Sequence, residues 1–393
     1  MLPLEGIRVL ELANYMAGPF AGLLLADMGA DVLKIENPKG GDFSRTSPPF
    51  INGESAGFMA LNRNKRSVTL NLKHPRGREL FLRLARDADV VLENFRPGTM
   101  ADLGIDAATL RARNPRLIYC SASAFGQTGP YRQRAGFDLI AQGMSGLMSI
   151  TGEPGGRPVK VGVPIADLAC ALFCTYGILS ALIARTRTGA GQEVEGNLLE
   201  AAVALAVWET SGYFATGEVP KPLGSAHRAS APYQAVRTRD GYVTIGAQTP
   251  NTWLAFCRAI GKPELADDER FRDNPRRMAN LPALIEIIEA VTMTRTSAEW
   301  YALLEEAGVP CGVLNDYAAV AADPHLNERG FFIDIEHPRA GTTRAAGFPV
   351  RLSATPARLR RPAPILGQHT AEVLTELGLS DAEIAALRQD QVL

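Results

Sequence analysis

Residues 161–184, VGVPIADLACALFCTYGILSALIA, carry a single formal charge, the carboxylate of Asp167. Two chemistries suit an acid at the head of such a run. As the cap or first-turn residue of a helix, it satisfies free backbone N–H groups and complements the helix dipole. Alternatively, a carboxylate held rigidly among apolar neighbours loses hydration. It then attacks an acyl carbon more readily than a solvated one, and carboxylates do serve as covalent catalysts. Position alone leaves both readings open.

Two further sets of residues sit where a ligand is received. Asn14, Tyr15, Met16 and Ala17 follow the apolar run IRVLEL, and Asn94, Phe95 and Arg96 follow DVVLE. If those runs are parallel strands, both sets lie at carboxyl ends, where such sheets bind ligands and where following helices offer N–H groups to anions. The first turn, ANYMAGPFAG, is neither GxGxxG nor GxxxxGK[ST], which removes the main support for a nicotinamide or P-loop enzyme. Arg63, Lys65, Arg66, Lys73 and Arg76 surround a short apolar run. They read as a solvated edge strand or, more sharply, as a site for a polyanionic nucleotide. Residues 123–152 form a glycine-dense stretch long enough to suggest a functional loop. His74, His227, His325, His337 and His369 all fall in turn-like contexts, and neither GxSxG nor HExxH occurs. A serine hydrolase and a metal centre therefore lack support.

The elements that must position these groups alternate. Strand-like runs at 7–12, 31–36, 67–72, 89–95 and 116–123 are separated by helical patterns, such as those beginning at Ala17 and over 77–88. This alternation predicts an α/β fold with a parallel sheet covered by helices. A core or interface helix over 165–184 follows, then a short strand and another apolar helix. Residues 216–233 are rich in Gly, Pro, Ser and Ala and read as a linker. Beyond it, GYVTIGA and several amphipathic helices predict a smaller α+β domain. The chain ends in two short helices, the last with an N-cap at Ser380.

With 393 residues, 46% hydrophobic and 21% charged, the chain suits a soluble protein of two domains or one large elaborated domain. Its 41 basic and 42 acidic residues give a net charge of -1, against a nucleic-acid partner. The five cysteines, Cys120, Cys170, Cys174, Cys257 and Cys311, lack metal-ligand spacing. The start, MLPLEGIRVLEL, lacks a basic segment before a long apolar core, so no signal peptide is expected. The apolar run is nearly long enough to cross a bilayer but stands alone, behind a carboxylate. The expectation is a cytoplasmic protein with no membrane partner.

Seven segments in order, LEGIRVLELANYMAGPFAGLLLADMGADVLKIENPKGGDFSR, NKRSVTLNLK, DVVLENFRPG, GPYRQRAGFDLIAQGMSGLMSITG, ADLACALFCTYGILSALIARTRTGAGQEVE, GVPCGVLN and PILGQHT, resemble the class III CoA-transferase (CaiB/BaiF) family. The resemblance spans almost the whole chain. It implies a large Rossmann-like CoA-binding domain over 1–200 completed by 350–393, a linker at 201–225, a small domain at 226–330 and a return linker at 331–349. It further implies two interlocked subunits. Asp167 falls on the family's nucleophile, which forms an aspartyl anhydride and then an aspartyl-CoA thioester while CoA passes between two carboxylic acids. Coenzyme A is thus a substrate, with no tightly bound cofactor and no metal.

Carried over individually, CoA contacts fall on Asn14, Tyr15, Met16, Ala17, Leu70, Lys73, Asn94, Phe95 and Arg96, with Arg66 a further candidate for phosphate or structural pairing. Two positions depart from the oxalate-type members: Asn37 and Asp102 stand where they have arginines, which turns attention to Lys39, Arg45 and Arg96 for the phosphates. The α-methylacyl-CoA racemases place a histidine in a GHD motif. Here the motif is GFD, and Phe137 cannot move a proton. His227 and Arg228, in SAHRASAPYQ, replace the glycines that close formyl-CoA:oxalate transferases. The sequence is nearer to members handling small dicarboxylates, with Arg228 as a partner for a distal carboxylate. Racemase-type isomerisation and CoA binding without turnover are the competing readings.

Overall fold

The computed structural model describes residues 1–393. Six strands form one sheet: β1 (Arg8–Leu12), β2 (Asp31–Glu36), β3 (Lys65–Thr69), β4 (Val90–Glu93), β5 (Ile118–Ser123) and β6 (Glu193–Asn197). All its neighbours run parallel, in the spatial order β3-β2-β1-β4-β5-β6. Strand order reverses between β1 and β4, so the crevice beyond their carboxyl ends is the place this topology opens for a ligand. Val9, Leu10, Val32, Leu33 and Val90–Leu92 are all buried, as expected of strands covered on both faces.

Four helices matter for the crevice: α1 (Ala17–Asp27), α2 (Asp138–Met144), α3 (Ile165–Thr188) and α4 (Leu198–Leu205). The long α3 meets the length and apolarity of a bilayer-crossing segment, and it packs against α1, α2, α4, β5 and β6. It ends at Gly189, whose φ of 73° is a left-handed cap, with Arg185 and Arg187 in its last turn.

β3 lies at the edge of the sheet, yet every one of its residues is buried. The C-terminal segment covers it. His369 N–H donates to Ser67 O at 2.9 Å, Thr69 N–H donates to Thr370 Oγ1 at 2.9 Å, and Asn64 N–H donates to Arg361 O at 3.0 Å. Arg63, Lys65 and Arg66 around this strand are therefore buried rather than a solvated edge, whereas Lys73 and Arg76 are exposed. Arg66 binds Asp31, Glu372 and Glu376, tying the sheet to the helix Thr370–Glu376. Arg63 pairs with Asp27, and Arg76 with Asp390. Lys34 and Lys65 each lie 2.8 Å from an oxygen of Glu11, all three fully buried. Burial opposes the charge on Lys34, but Glu11, Asp42 and Glu36 more than offset this and hold its pKa up. Lys65, with Lys34 beside it, is depressed by burial to about 8.

The chain divides into two compact units, one comprising 1–147, 160–218 and 327–393, the other 148–159 and 219–326. The second has a three-stranded antiparallel sheet of β7 (Tyr233–Arg237), β8 (Tyr242–Gly246) and β9 (Cys311–Val313). Its core includes Val236, Ile245, Trp253, Phe256, Ile288 and Trp300. Within the first unit, β10 (Phe332–His337) and β11 (Gly341–Ala346) form a hairpin.

Three elements differ from the sequence reading. The strand placed at 67–72 runs over Lys65–Thr69, the stretch that pairs in register with Val32–Glu36 of β2. The helix after β6 breaks at Ala206, whose ψ of 40° leaves the helical region, and resumes as Val207–Thr216. Residues 233–237 form β7, joined to β8 by a turn closed by Thr238 N–H to Gly241 O at 2.9 Å.

Candidate active site

The two turns at the crevice are locked to each other. Asn14 N–H donates to Asn94 Oδ1 at 2.9 Å, and Asn94 Nδ2 donates back to Asn14 O at 2.8 Å. Gly18, in the first turn of α1, permits this approach: a Cβ there would lie 2.4 Å from Ala13 Cβ and 3.3 Å from Asn94 Cγ. Below, Lys34 donates to Ala13 O at 2.8 Å and pairs with Asp42 at 2.8 Å. Asp42 in turn accepts Tyr15 N–H at 3.1 Å, holding Tyr15 at φ 63°, a left-handed conformation that a tyrosine adopts only under constraint. The Tyr15 ring stacks on Phe43 with centroids 5.7 Å apart, both rings exposed. On the other turn, Glu93 Oε2 accepts Phe95 N–H at 2.8 Å, and burial pushes the Glu93 carboxyl up to about 7.

The crevice is a cavity of about 340 Å³, lined by these two turns, the end of β5 and the two residues after it (Ala122–Phe125), the segment Ala135–Phe137, Asp167 and the start of α4 at Leu198. Three arginines line it as well: Arg96, Arg132 and Arg134. Arg134 lies 4.0 Å over the Tyr131 ring. Arg45 is committed elsewhere, in a two-pronged bond to Glu36 at 2.7 and 2.8 Å and over the Phe58 ring. Arg66 is committed to three acids, as described above.

Asp167 sits in the first turn of α3 but does not cap it; the capping position is Pro164, with no side-chain cap of its own. The cap comes from α2. Asp138 Oδ1 accepts Ala166 N–H at 2.9 Å and faces Asp167 N–H at 3.5 Å. With the N–H groups served by another residue, the Asp167 carboxylate is left to face the cavity. Burial, and secondarily the charge of Asp138, push it up to about 7. A carboxylate that is expensive to ionise and lies in a cleft is the kind of group expected of an acid, base or nucleophile.

Of the residues singled out in the sequence, Asn14, Tyr15, Met16, Ala17, Asn94, Phe95, Arg96, Phe137 and Asp167 all line this one cavity. Leu70 is instead buried in the core behind the sheet, and Lys73 is exposed; neither lines the cavity. Asn37 and Asp102 are exposed. His227 and Arg228 belong to the second unit, where His227 packs edge-on to Tyr233 at 5.3 Å. Sequence reasoning passed over Phe43, Arg132, Arg134 and Asp138. The last three lie within or beside the quoted GPYRQRAGFD stretch, and its charges, spaced two and four apart, were the available signal.

A crevice at the switch point of a parallel α/β sheet, lined by a desolvated carboxylate, with Phe137 unable to transfer a proton, has the form of a ligand-binding site. The sequence model of "CoA-transferase family III" matches residues 4–370. The succinate–glutarate CoA-transferase of Agrobacterium fabrum is 43% identical over 382 residues, covering 95% of this chain and 96% of that one. Human succinyl-CoA:glutarate CoA-transferase is 39% identical over 376 residues, covering 95% and 86%. Among solved structures, a CaiB/BaiF family protein from Brucella suis superposes with a TM-score of 0.87 at 41% identity, covering 96% and 99%. The chain belongs to CoA-transferase family III and is a CoA-transferase.

Proposed function

We propose that this enzyme moves CoA from an acyl-CoA to a small dicarboxylate, with Asp167 as the covalent relay. The Asp167 carboxylate attacks the donor thioester carbonyl, expelling CoA thiolate and forming a mixed anhydride. The thiolate attacks the aspartyl carbonyl, giving an aspartyl-CoA thioester and the free donor acid. The acceptor carboxylate then attacks that thioester, again releasing thiolate and forming a new anhydride. The thiolate finally attacks the acceptor's acyl carbon, giving the product thioester and regenerating Asp167. Each step exchanges one activated acyl bond for another, so no ATP enters.

The observation that carries this reading is the Asp167 carboxyl itself, freed from capping by Asp138, desolvated, and lining the switch-point cavity. Arg96, Arg132 and Arg134 are the cations available in that cavity for CoA phosphates. The dicarboxylate acceptor follows the similar proteins, whose names specify succinate and glutarate. Crossing succinyl-CoA, acetyl-CoA and glutaryl-CoA donors against mono- and dicarboxylate acceptors tests it. Dicarboxylates should be preferred; faster transfer to monocarboxylates overturns the acceptor class.

The same reading includes a homodimer. Leu172, Phe173, Tyr176 and Ile183 on α3, and Trp208 and Phe214 on the helix Val207–Thr216, are exposed large apolar side chains, more than a lone subunit ordinarily leaves in water. Light scattering giving the mass of two chains supports a second copy over this surface; a monomer excludes it.

A further inference from the structure

Gln142, on the second turn of α2, has no exposed surface, and both ends of its amide are engaged. Its Nε2 donates to Asp138 Oδ2 at 2.7 Å and approaches Val163 O at 3.5 Å. Its Oε1 accepts Val161 N–H at 2.9 Å. Asp138 uses its other oxygen on the N–H groups of Ala166 and Asp167. A single buried side chain therefore grips both the acid that caps α3 and the 161–163 segment that leads into it.

We propose that Gln142 is a positioning residue for the Asp167 carboxylate. The inference rests on the reading of Asp167 as nucleophile and extends it: the relay's geometry is set from α2, through Gln142 and Asp138, rather than by α3 alone. The physical reason is that Asp167 has no side-chain partner that fixes its helix start. Pro164 supplies no side-chain cap bond, so the orientation of the first turn of α3 depends on Asp138. Asp138 is an ionisable group with rotational freedom about its χ angles. Gln142 removes that freedom by donating to the second oxygen, and it does so as a neutral amide that adds no charge near Asp167. A carboxylate relay that must meet two carbonyls and a thiolate in turn is sensitive to displacements of about 1 Å, which can lower rates on the order of 100-fold.

The test uses the full-length enzyme with succinyl-CoA and glutarate. Gln142→Leu removes the bridge; kcat should fall about ten-fold or more, while KM for succinyl-CoA changes less than about three-fold. Gln142→Glu keeps length and an acceptor for Val161 N–H but, ionised, cannot donate to Asp138, so its kcat should fall as in Gln142→Leu with KM for succinyl-CoA little changed. A merely structural role lowers the melting temperature but leaves kcat per folded enzyme near native in both variants, so Gln142→Glu decides even if Gln142→Leu folds poorly. Native kcat per folded enzyme in either variant overturns the inference while leaving the nucleophile standing. Native enzyme that transfers no CoA overturns the reading beneath it as well.

Discussion

The Asp138 carboxylate accepts the backbone N–H of Ala166 at 2.9 Å and sets its charge against the carboxyl of Asp167, so one side chain both fixes the start of α3 and makes Asp167 harder to ionise. Asp138→Asn removes the charge. Its Oδ1 still accepts the N–H bonds of Ala166 and Asp167, although its Nδ2 can no longer accept from Gln142 Nε2. The acid limb of kcat should then move to lower pH by up to about one unit, without reaching the ordinary aspartate range, because burial is the larger cause. A pH–rate profile identical to native contradicts the assignment.

The reciprocal pair of bonds between Asn14 and Asn94 holds the two turns at the switch point in register. Asn94→Ala removes both and leaves the Asn14 groups short of partners in a half-buried site. The expected cost in stability is about 1–3 kcal/mol, and the loosened turns should raise KM for acyl-CoA roughly ten-fold with a smaller change in kcat. Steady-state kinetics with varied acyl-CoA at saturating acceptor checks it.

If Arg132 and Arg134 meet CoA phosphates, their loss is felt only by substrates that carry phosphates. For Arg134→Ala, KM for succinyl-CoA should rise roughly three- to ten-fold, and the rise should shrink as salt is added. The phosphate-free succinyl-pantetheine thioester should be used as well as by the native enzyme. Equal losses on both substrates place these arginines in another role.

Much of the frame was legible in the sequence. The βαβ alternation, the switch-point turns at Asn14–Ala17 and Asn94–Arg96, and the acid heading an apolar helix are local patterns, and local patterns survive in the order of residues. What stayed hidden depends on contacts distant in sequence. Lys65 and Arg66 look like surface charge until Glu11 is brought beside the first and Asp31, Glu372 and Glu376 beside the second. Leu70, a CoA contact by resemblance, follows the end of the strand at Thr69 and packs in the core. Asp138 was read only through its neighbour Phe137, because nothing local reveals that it caps a helix beginning 27 residues later.

The raised pKa of Asp167 also bears on stability. Its folded carboxyl titrates near 7, above the ordinary value of 3.8, so the folded state holds a proton more tightly and gains stability as pH falls through 7 toward 4. Above 7 the buried charge is a liability. Asp167→Asn should therefore be more stable than native at pH 8, by up to about 4 kcal/mol, with the difference closing below pH 4. Urea denaturation of both proteins at several pH values checks this; an advantage independent of pH contradicts it.

The most direct measurement of the central claim is trapping on the enzyme itself. After incubation with succinyl-CoA alone, the protein is quenched with hydroxylamine and digested with trypsin, which releases residues 161–185 as one peptide. The account predicts conversion of Asp167 to its hydroxamate in that peptide, dependent on succinyl-CoA, and loss of transfer in Asp167→Ala. An unmodified Asp167 together with native transfer rates in Asp167→Ala would contradict it.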